Sequence, residues 1–517
     1  MKKRFIRGRK VRYGGITVIL TVLVIAVTLL VNAVFGSLAT RYNWMTDMNE
    51  LGLFDVTDQC YTYLEDVFAD ATDDGSSAQV EIIFCDLLKN IAEEPTQAQL
   101  YHTAKSLQER FPEHITLNCY DILTDPTTVR GKYNTAEDPH TGAIDEISVS
   151  TTDVILVSEG YHRVYSLAEF FSFKDNSAEN LWGYNGERKL AAGIMKAVAT
   201  NRPKACLTNN HGEVFYDYEI LNVLDDAGYK VTYLDLYKGE IPEDCSLIVT
   251  YNPMSDLLVT ENTGSSVSER DKLEDFLSES GNGYWVLMGN SAPTLPNFES
   301  FLEAWGADFS YHTSGTNQYR YMVQDTTQSL TSDGYTIYGE ASASEKGTQI
   351  FENLNRTAIF KNATAITPAQ GFVNNGDGSY TNGDRVMYSL YTGGENAISW
   401  ANGNAVNDAD DAILLSLTQQ NMADGQSYVG VVSSSEFATE HYLQSAVYAN
   451  SDVLCAVLEV QGMENTPIGL TLKPYEQTEI STVTTQQMFV WTLCLSLIPA
   501  VIIAGVGVFV LLKRRRA

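Results

Sequence analysis

The sequence lacks the short motifs that most often mark an enzyme or a metal site. Its seven cysteines include no Cys-x-x-Cys pair, so zinc ribbons and dithiol redox motifs are not supported. No G-x-x-x-x-G-K-[ST] segment occurs, and the chain therefore does not hydrolyse ATP by the P-loop route. No serine lies in a G-x-S-x-G turn. What remains is a chain of 517 residues without a complete catalytic signature.

Acidic residues are missing from both ends of the chain. Residues 1–38 hold seven Lys and Arg without an acid, and residues 513–516 hold four more. The rest of the chain is left with 23 basic residues against all 65 acidic ones. This strongly acidic middle part of the chain repels nucleic acid and anionic lipid headgroups, which argues against a DNA or RNA partner.

Two long apolar segments, residues 16–34 and 488–512, lack charge altogether. Each is near the roughly 20 residues that a helix needs to cross a bilayer, and both predict transmembrane helices. Small residues at 37–39 raise the alternative of a cleaved signal peptide, but the first segment is longer than the usual ~7–15 apolar residues and favours an uncleaved anchor. Basic residues flank the outer end of each segment, so both termini are expected in the cytoplasm.

Two parts of the chain between these segments are predicted to form α/β structure. From residue 79, predicted strands at 80–85 and 115–120 flank a helix at 97–111, and a hairpin follows at 153–165. This β-α-β unit with a hairpin is thioredoxin-like in outline but lacks the redox dithiol. Residues 202–290 alternate short apolar strands with acidic amphipathic helices, which predicts a parallel sheet. Within it, Ser266 and Glu269 have the spacing of a capping box.

Several blocks of the sequence, taken in order, resemble one known family. They are RYNWMTDMNELGLFDVTDQ at 41–59, DILTDPTTVRGKY at 121–133, GERKLAAGIMKAV leading into ACLTNNHGE, and IPEDCSLIVTYNPMSDL ahead of DKLEDFLSESGNGYWVLM. With the two apolar segments, they resemble the auxiliary membrane component of ABC transporters named for gliding motility (GldG-like proteins). The resemblance implies a non-catalytic subunit without a cofactor, whose partners are an ABC permease and an ABC ATPase. It also implies a central domain similar to the flavodoxin/amidotransferase fold.

The predicted protein is therefore of the α/β class, with extracytoplasmic thioredoxin-like and flavodoxin/amidotransferase-like parallel-sheet domains, a β-rich insertion and two bracketing transmembrane helices. We expect it in a bacterial cell membrane that it crosses twice. The predicted segments are a basic cytoplasmic tail (1–14), a first transmembrane helix (15–38), a juxtamembrane segment and helix (39–77), the thioredoxin-like domain (78–175), the flavodoxin/amidotransferase-like domain (185–308), the β-rich region (309–427), a return to the α/β module (428–465), a linker (466–487), a second transmembrane helix (488–512) and a basic tail (513–517).

The candidate ligand-binding residues are Asn210, His211 and Glu213, which follow the first strand of the central module. Ligands of open parallel sheets bind at the carboxyl ends of the strands, so these side chains are placed to contact one. The alternative is an ordinary strand-to-helix turn ahead of a helix predicted over residues 213–227. In that turn Asn209 or Asn210 caps the helix, Gly212 supplies a permissive backbone and Glu213 sits favourably at the helix N-terminus. The sequence leaves both interpretations open.

No catalytic or metal-binding residue is predicted. An amidotransferase needs a nucleophilic Cys at a tight turn after a strand, but the turns at 251–253 and 288–291 contain none, and Cys206 lies within a strand. Ser291 is expected to be an ordinary loop serine, and the Asp- and Asn-rich segments 374–384 and 407–411 are expected to be turns. Two alternatives to an accessory role in ABC transport stay open: a stand-alone surface protein that binds glycan or peptide, and a divergent hydrolase or amidotransferase.

Overall fold

A computed structural model describes residues 22–23, 26–27, 30–31, 52–137, 144–173, 180–260, 268–352, 354, 356–401, 403–406 and 412–475. The chain divides into two compact units, Met1–Asp55 and Val56–Ala517. In the first unit, the residue pairs described between 22 and 31 are helical and exposed. The elements below all belong to the second unit.

The prediction of two bracketing transmembrane helices is wrong. None of the helices that the structure describes is both long and apolar enough to cross a bilayer. The two longest, Asp58–Asp73 and Pro95–Arg110, have 16 residues each and carry charged side chains on one face. The two-pass placement in a cell membrane, with cytoplasmic termini and an extracytoplasmic domain, depended on those helices and is corrected with them. Residues 488–512, both terminal tails and residues 476–487 of the predicted linker lie outside the described residues.

The first part of the second unit is built around a four-stranded sheet. Its strand order is 2-1-5-6, with strands 1 and 2 parallel and strands 5 and 6 forming an antiparallel hairpin. The β-α-β unit and hairpin that the sequence predicts are thus present. The elements are α1 (Asp58–Asp73), β1 (Val80–Phe84), α2 (Leu88–Glu93), α3 (Pro95–Arg110), β2 (Ile115–Cys119), β3 (Thr135–Glu137), β4 (Ile144–Glu146), β5 (Val154–Ser158), β6 (Tyr161–Tyr165), a 3-10 turn (Leu167–Phe170), β7 (Phe171–Phe173) and β8 (Leu181–Tyr184).

Helix α4 (Gly186–Val198) is buried along its whole length, although it carries four charged residues. Its apolar residues Leu190 and Ile194 join the core of the first sheet. Gly193 allows close approach to that sheet, because a Cβ there would lie 2.9 Å from the hydroxyl of Tyr165 and 3.0 Å from Leu156. Three of these charged residues, Arg188, Lys189 and Lys196, have their partners on the next helix, as described below, and Glu187 pairs with Lys473 at 2.6 Å.

A twelve-stranded sheet forms the centre of the unit. Its main path runs 10-9-11-12-27-26-23-22-21, parallel from strand 10 to strand 27 and antiparallel beyond it. The elements are β9 (Lys204–Thr208), α5 (Glu219–Asp226), β10 (Lys230–Leu234), β11 (Cys245–Tyr251), α6 (Glu269–Phe276), β12 (Gly283–Leu287), α7 (Pro296–Ala304), β13 (Ala307–Phe309), β14 (Tyr311–Ser314), β15 (Asn317–Arg320), β16 (Met322–Gln324), β17 (Thr336–Tyr338), β18 (Glu340–Ala341), α8 (Glu345–Phe351), β19 (Ile359–Lys361), β20 (Ile366–Pro368), β21 (Val373–Asn374), β22 (Ser379–Asn382), β23 (Arg385–Thr392), β24 (Ile398–Ala401), β25 (Asn404–Val406), β26 (Ile413–Asn421), β27 (Gln426–Val432), a 3-10 turn (Ser435–Ala438), α9 (Glu440–Leu443), α10 (Asn450–Val460) and β28 (Lys473–Pro474).

The β-rich segment and the parallel strands share this one sheet. Strand β27 pairs in parallel with β12, so Gly283 lies opposite Tyr428 although a long segment of the chain separates the two strands in sequence. On its other side β27 pairs antiparallel with β26, which begins the β-rich half. The residues of β12 are all buried, as expected for a central strand that helices or strands cover on both faces.

Candidate functional site

The strand order of the central sheet reverses at β9, and the candidate residues lie in the loop that follows this strand. Strand β10 pairs with one edge of β9 and β11 pairs with the other, so the connections after β9 and β11 leave the sheet side by side. In open parallel sheets this reversal creates a crevice outside the carboxyl ends of the strands, where ligands commonly bind. The segments that emerge here are residues 209–218 after β9 and residues 252–258 after β11.

The helix predicted over residues 213–227 begins only at Glu219, and residues 209–218 form a loop. The interpretation of Asn209 or Asn210 as a helix cap is therefore wrong. Asn210 instead donates its amide Nδ2 to Glu269 Oε1 at 2.6 Å and accepts a hydrogen bond from the Leu236 backbone at 3.2 Å. Gly212 has a φ of 67°, so a glycine suits the backbone of this loop.

His211 lies between two carboxylates. Its Nδ1 is 3.3 Å from Glu213 Oε1, and its Nε2 is 3.1 Å from Glu269 Oε2. The second carboxylate oxygen of Glu213 accepts the backbone N–H of His211 at 2.8 Å. The hydroxyl of Thr208, the last residue of β9, donates to Glu213 Oε1 at 2.5 Å. The structure therefore brings all three predicted residues together and adds Glu269, which sequence reasoning missed.

Glu269 has a different role from the one that its spacing suggested. Helix α6 is capped by Ser268, whose side chain accepts the backbone N–H of Asp271, while Ser266 lies outside the described residues. Glu269 is the first residue of α6, and its carboxylate points back to His211 and also accepts the Leu258 backbone N–H at 2.8 Å. The sequence did hold a signal for Glu269 as a partner of His211. A glutamate that begins the helix after β11 lies at the same sheet edge as the loop after β9, because the carboxyl ends of the two strands meet there.

The electrostatics of the cluster favour an ion triad with His211 charged. Burial alone would lower the pKa of His211, but the hydrogen bonds and charges of Glu213 and Glu269 outweigh it and raise that pKa to about 9. Burial would likewise raise the pKa of each carboxyl, but the hydrogen bonds that each accepts, first among them the one from His211, outweigh it and lower both pKa values. An imidazolium held by two carboxylates is the expected state near neutral pH.

The triad is closed to solvent. The side chains of His211 and Glu213 are each 2% exposed, and that of Glu269 is fully buried. The ring of Phe298 meets the imidazole edge-on, and the backbone N–H groups of Met254 and Ser255 bond the His211 carbonyl at 2.8 Å. Both ring nitrogens face carboxylates, and in the described parts of the chain no three His, Cys, Asp or Glu are grouped to hold a metal ion. The arrangement ties two strand-end loops together, and ligand contact by these residues stays a prediction.

The turn after β11 contains a residue in the left-handed region, as a nucleophile elbow does, but it has no nucleophile and a loop follows it. That residue is Asn252, with a φ of 47°, and its Oδ1 is buried with no hydrogen-bond partner among the residues described. Gly289, in the turn after β12, packs against it so closely that a Cβ would lie 2.3 Å from that oxygen. Ser291 is exposed in the same turn, and Cys206 lies within β9 as expected. An amide cannot act as the nucleophile that an acyl-transfer elbow requires.

The remaining polar segments and thiols behave as ordinary structure where they are described. Residues 373–382 form the β21–β22 hairpin, and residues 407–411 lie outside the described residues. Six cysteines are described, and all are free thiols: Cys60, Cys85, Cys119, Cys206, Cys245 and Cys455.

A second buried charge cluster joins helices α4 and α5. Asp226 of α5 accepts Lys189 Nζ at 3.0 Å and lies 3.4 Å from the Arg188 guanidinium. The adjacent Asp225 pairs with Lys196 at 2.5 Å and with Arg163 of β6 at 2.6 Å. Burial would raise the pKa of Asp225, but the surrounding cations outweigh it and hold that pKa well below its usual range. These contacts join the first sheet to the central one.

Comparison with known proteins finds distant likenesses among solved structures. No protein-family model and no curated protein matches the chain. Among solved structures, an IFT52 N-terminal domain is 13% identical with a TM-score of 0.35, covering 50% of this chain and 96% of its own. A cytoplasmic protein from Salmonella typhimurium, STM3548, is 10% identical with a TM-score of 0.28, covering 50% and 98%. The structure of PurLQS from Thermotoga maritima is 12% identical with a TM-score of 0.25, covering 50% and 99%. At such TM-scores these likenesses carry no argument.

Proposed function

We propose that the chain is a non-catalytic accessory subunit of an ABC transport system, and that its central module is a binding scaffold. The observation that carries this proposal is the closed triad of His211, Glu213 and Glu269. It fills the crevice where a parallel sheet would otherwise hold a ligand or a reacting group. The sequence blocks that resemble GldG-like proteins point to an ABC permease and an ABC ATPase as the partners.

An exposed patch beside the triad supports the role of a docking surface. The strand-end patch consists of Val214, Tyr216 and Tyr218 on the loop after β9, with Met254 on the loop after β11. These side chains are between 38% and 61% exposed. Aromatic residues and Met are enriched at protein interfaces, and charged residues are depleted at the centre of such surfaces. The triad below the patch holds both loops in place, so the patch is presented on rigid backbone.

The test is purification of the tagged full chain from its own cells in a mild detergent. We expect an ABC ATPase and a multi-span permease to co-purify in fixed proportion. The double variant Tyr216→Ser, Tyr218→Ser should lose both partners, because it removes the two aromatic side chains most exposed in the patch. Leu123→Ser is the matched control, since Leu123 is also apolar and exposed but lies after β2.

Two results would count against the proposal. Repeated recovery of the chain alone would favour a stand-alone glycan- or peptide-binding protein. Adducts with nucleophile-directed probes, at Ser291 or at any cysteine, would favour a divergent hydrolase or amidotransferase. Partners that remain bound to the double variant would keep the transport role and reject the strand-end patch as the contact surface.

A further inference from the structure

A cavity of about 400 Å³ lies beyond the carboxyl end of β12. It is open to solvent on one side and is lined by the turn after β12, the β14–β15 hairpin and strand β24 of the β-rich segment. Its volume lies within the range of small-molecule sites, about 300–1,000 Å³. The lining side chains that matter here are Asn290, Thr294, Gln318, Tyr319, Tyr335 and Trp400. The His211 triad contributes none of the lining, so this site is separate from the closed crevice.

Arg320 is the one charged residue among the described residues that line this cavity, and all its donors are already used. A guanidinium has five N–H groups. Nε donates to the Tyr311 hydroxyl at 2.7 Å. Nη1 and Nη2 together donate to the carbonyls of Gly289, Ala292 and Pro293 and, at 2.6 Å, to the Glu299 carboxylate. The positive charge is therefore paired, and no N–H group is left for a ligand.

The remaining lining groups are uncharged. Asn290, Thr294 and Gln318 supply amides and a hydroxyl that are exposed to solvent, and Tyr319 is 37% exposed. Tyr335 and Trp400 add two aromatic rings to the lining. Aromatic rings present a negative face to partially positive C–H groups, while amides can both donate and accept hydrogen bonds. This combination suits a ligand with an apolar face and several hydroxyl groups.

We propose that this cavity binds a neutral saccharide unit. The C–H face of the sugar ring packs on Tyr319, Tyr335 or Trp400, and its hydroxyls bond the amides of Asn290 and Gln318. Phosphorylated and carboxylated sugars are disfavoured, because all the N–H groups of Arg320 are used and the cavity offers their added negative charge no free cationic donor. The site is independent of the partner subunits proposed above and can be tested without them.

The experiment is calorimetric titration of the purified full chain with single sugars. The probes are glucose, galactose and N-acetylglucosamine, with glucose 6-phosphate and glucuronate as charged analogues. We expect at least one neutral sugar to bind, and its charged analogue to bind at least about tenfold more weakly. Tyr319→Ala and Gln318→Ala should each weaken binding about tenfold, since the first removes an aromatic face and the second an amide.

Tyr237→Ala is the matched control, because Tyr237 is similarly exposed but follows β10 and lines no part of the cavity. It should leave the affinity unchanged. Three outcomes would overturn the proposal: no neutral sugar binds up to about 10 mM, the charged analogues bind as tightly as the neutral ones, or the two hairpin variants bind like the unmodified chain. All the substituted side chains are exposed, so folding is expected to survive, and a circular dichroism spectrum of each variant verifies it.

Discussion

Nε2 of His211 lies 3.1 Å from Oε2 of Glu269, a residue 58 positions further along the chain. His211 lies in the loop after β9 and Glu269 begins α6, the helix ahead of β12, so the contact closes the crevice at this sheet edge. With Glu213 on the other ring nitrogen, His211 is the shared counter-charge of two buried acids. The stability of this sheet edge should therefore depend on one imidazole.

Replacement of His211 by Ala should destabilise the protein by about 3–5 kcal/mol, because two buried carboxylates would lose their counter-charge. Urea unfolding at pH 7, followed by tryptophan fluorescence, measures the free energy of unfolding. Adding Glu213→Gln and Glu269→Gln to the same variant should recover part of the loss. Lys238→Ala is the control, because that side chain is 78% exposed in its ion pair and should change stability by less than about 1 kcal/mol. A loss for His211→Ala as small as the control's would refute the ion triad.

The pH dependence of stability should carry the signature of a raised histidine pKa. The pKa of His211 is raised from 6.5 to about 9, so the folded state keeps a proton that the unfolded state releases. The stabilisation is complete below pH 6.5 and is lost as the pH rises through 9, a change of up to about 3 kcal/mol. The measurement is the difference in unfolding free energy between the unmodified chain and His211→Gln, taken from pH 5 to 10. A difference that is constant across this window would contradict the assignment.

The unmodified chain has to be compared with His211→Gln because other groups titrate in or near the same pH range. Burial raises the pKa of Glu219 to about 7, so this carboxyl lowers stability as the pH rises from 4.5 towards 7. That effect is common to both proteins and cancels in the difference. The pKa values of Glu213 and Glu269 are lowered, so their contribution is lost as the pH falls through the folded values, below 4.5.

Asp226→Ala should destabilise the protein by about 3–5 kcal/mol, since it leaves Lys189 and Arg188 buried without their carboxylate. Thermal unfolding gives the change directly. Asp244→Ala provides a matched control, because Asp244 also pairs with a lysine but its side chain is 55% exposed. It should cost less than about 1 kcal/mol. Equal effects of the two substitutions would mean that burial does not decide the strength of these pairs.

Gly289→Ala should destabilise the protein by about 1–3 kcal/mol, because the new methyl group would lie 2.3 Å from Asn252 Oδ1 and 2.6 Å from Ser435 Oγ. Asn252→Gly in the same chain should relieve the first clash, and a glycine accepts the φ of 47° at that position. Gly131→Ala, whose nearest neighbour would be at 3.4 Å, serves as the reference. If Asn252→Gly gives no rescue, the close packing of these two turns is not the cause of the loss.

The sequence predicted local structure better than partnerships between distant residues. Strands such as β1 and β2, predicted at 80–85 and 115–120, are set by neighbouring residues, and the structure has them within one residue of the expected positions. The position of His211 at a strand end was also predictable, since it follows from the order of strand and loop. Its partner Glu269 was not, because a local capping pattern explained that residue equally well.

The start of α5 was misplaced for a related reason. Residues 213–218 have helix-compatible side chains, but the bonds of Glu213 to Thr208 and His211 hold the loop in a non-helical path. The membrane prediction rested on the length of two uncharged apolar segments and on the basic residues beside them. A long apolar run indicates that a segment could cross a bilayer as a helix. None of the helices described has the length and apolarity that such a span needs.

The pairing of β12 with β27 also constrains how the protein can be divided. Any fragment that ends before residue 426 leaves the buried strand β12 as a free, hydrophobic sheet edge, which is a template for aggregation. Because the two strands lie so far apart in sequence, their pairing has to await the whole intervening segment, and such long-range contacts slow folding. During synthesis, the chain exposes that edge until β27 has left the ribosome. Cellular expression should therefore depend on chaperones that hold the half-made sheet.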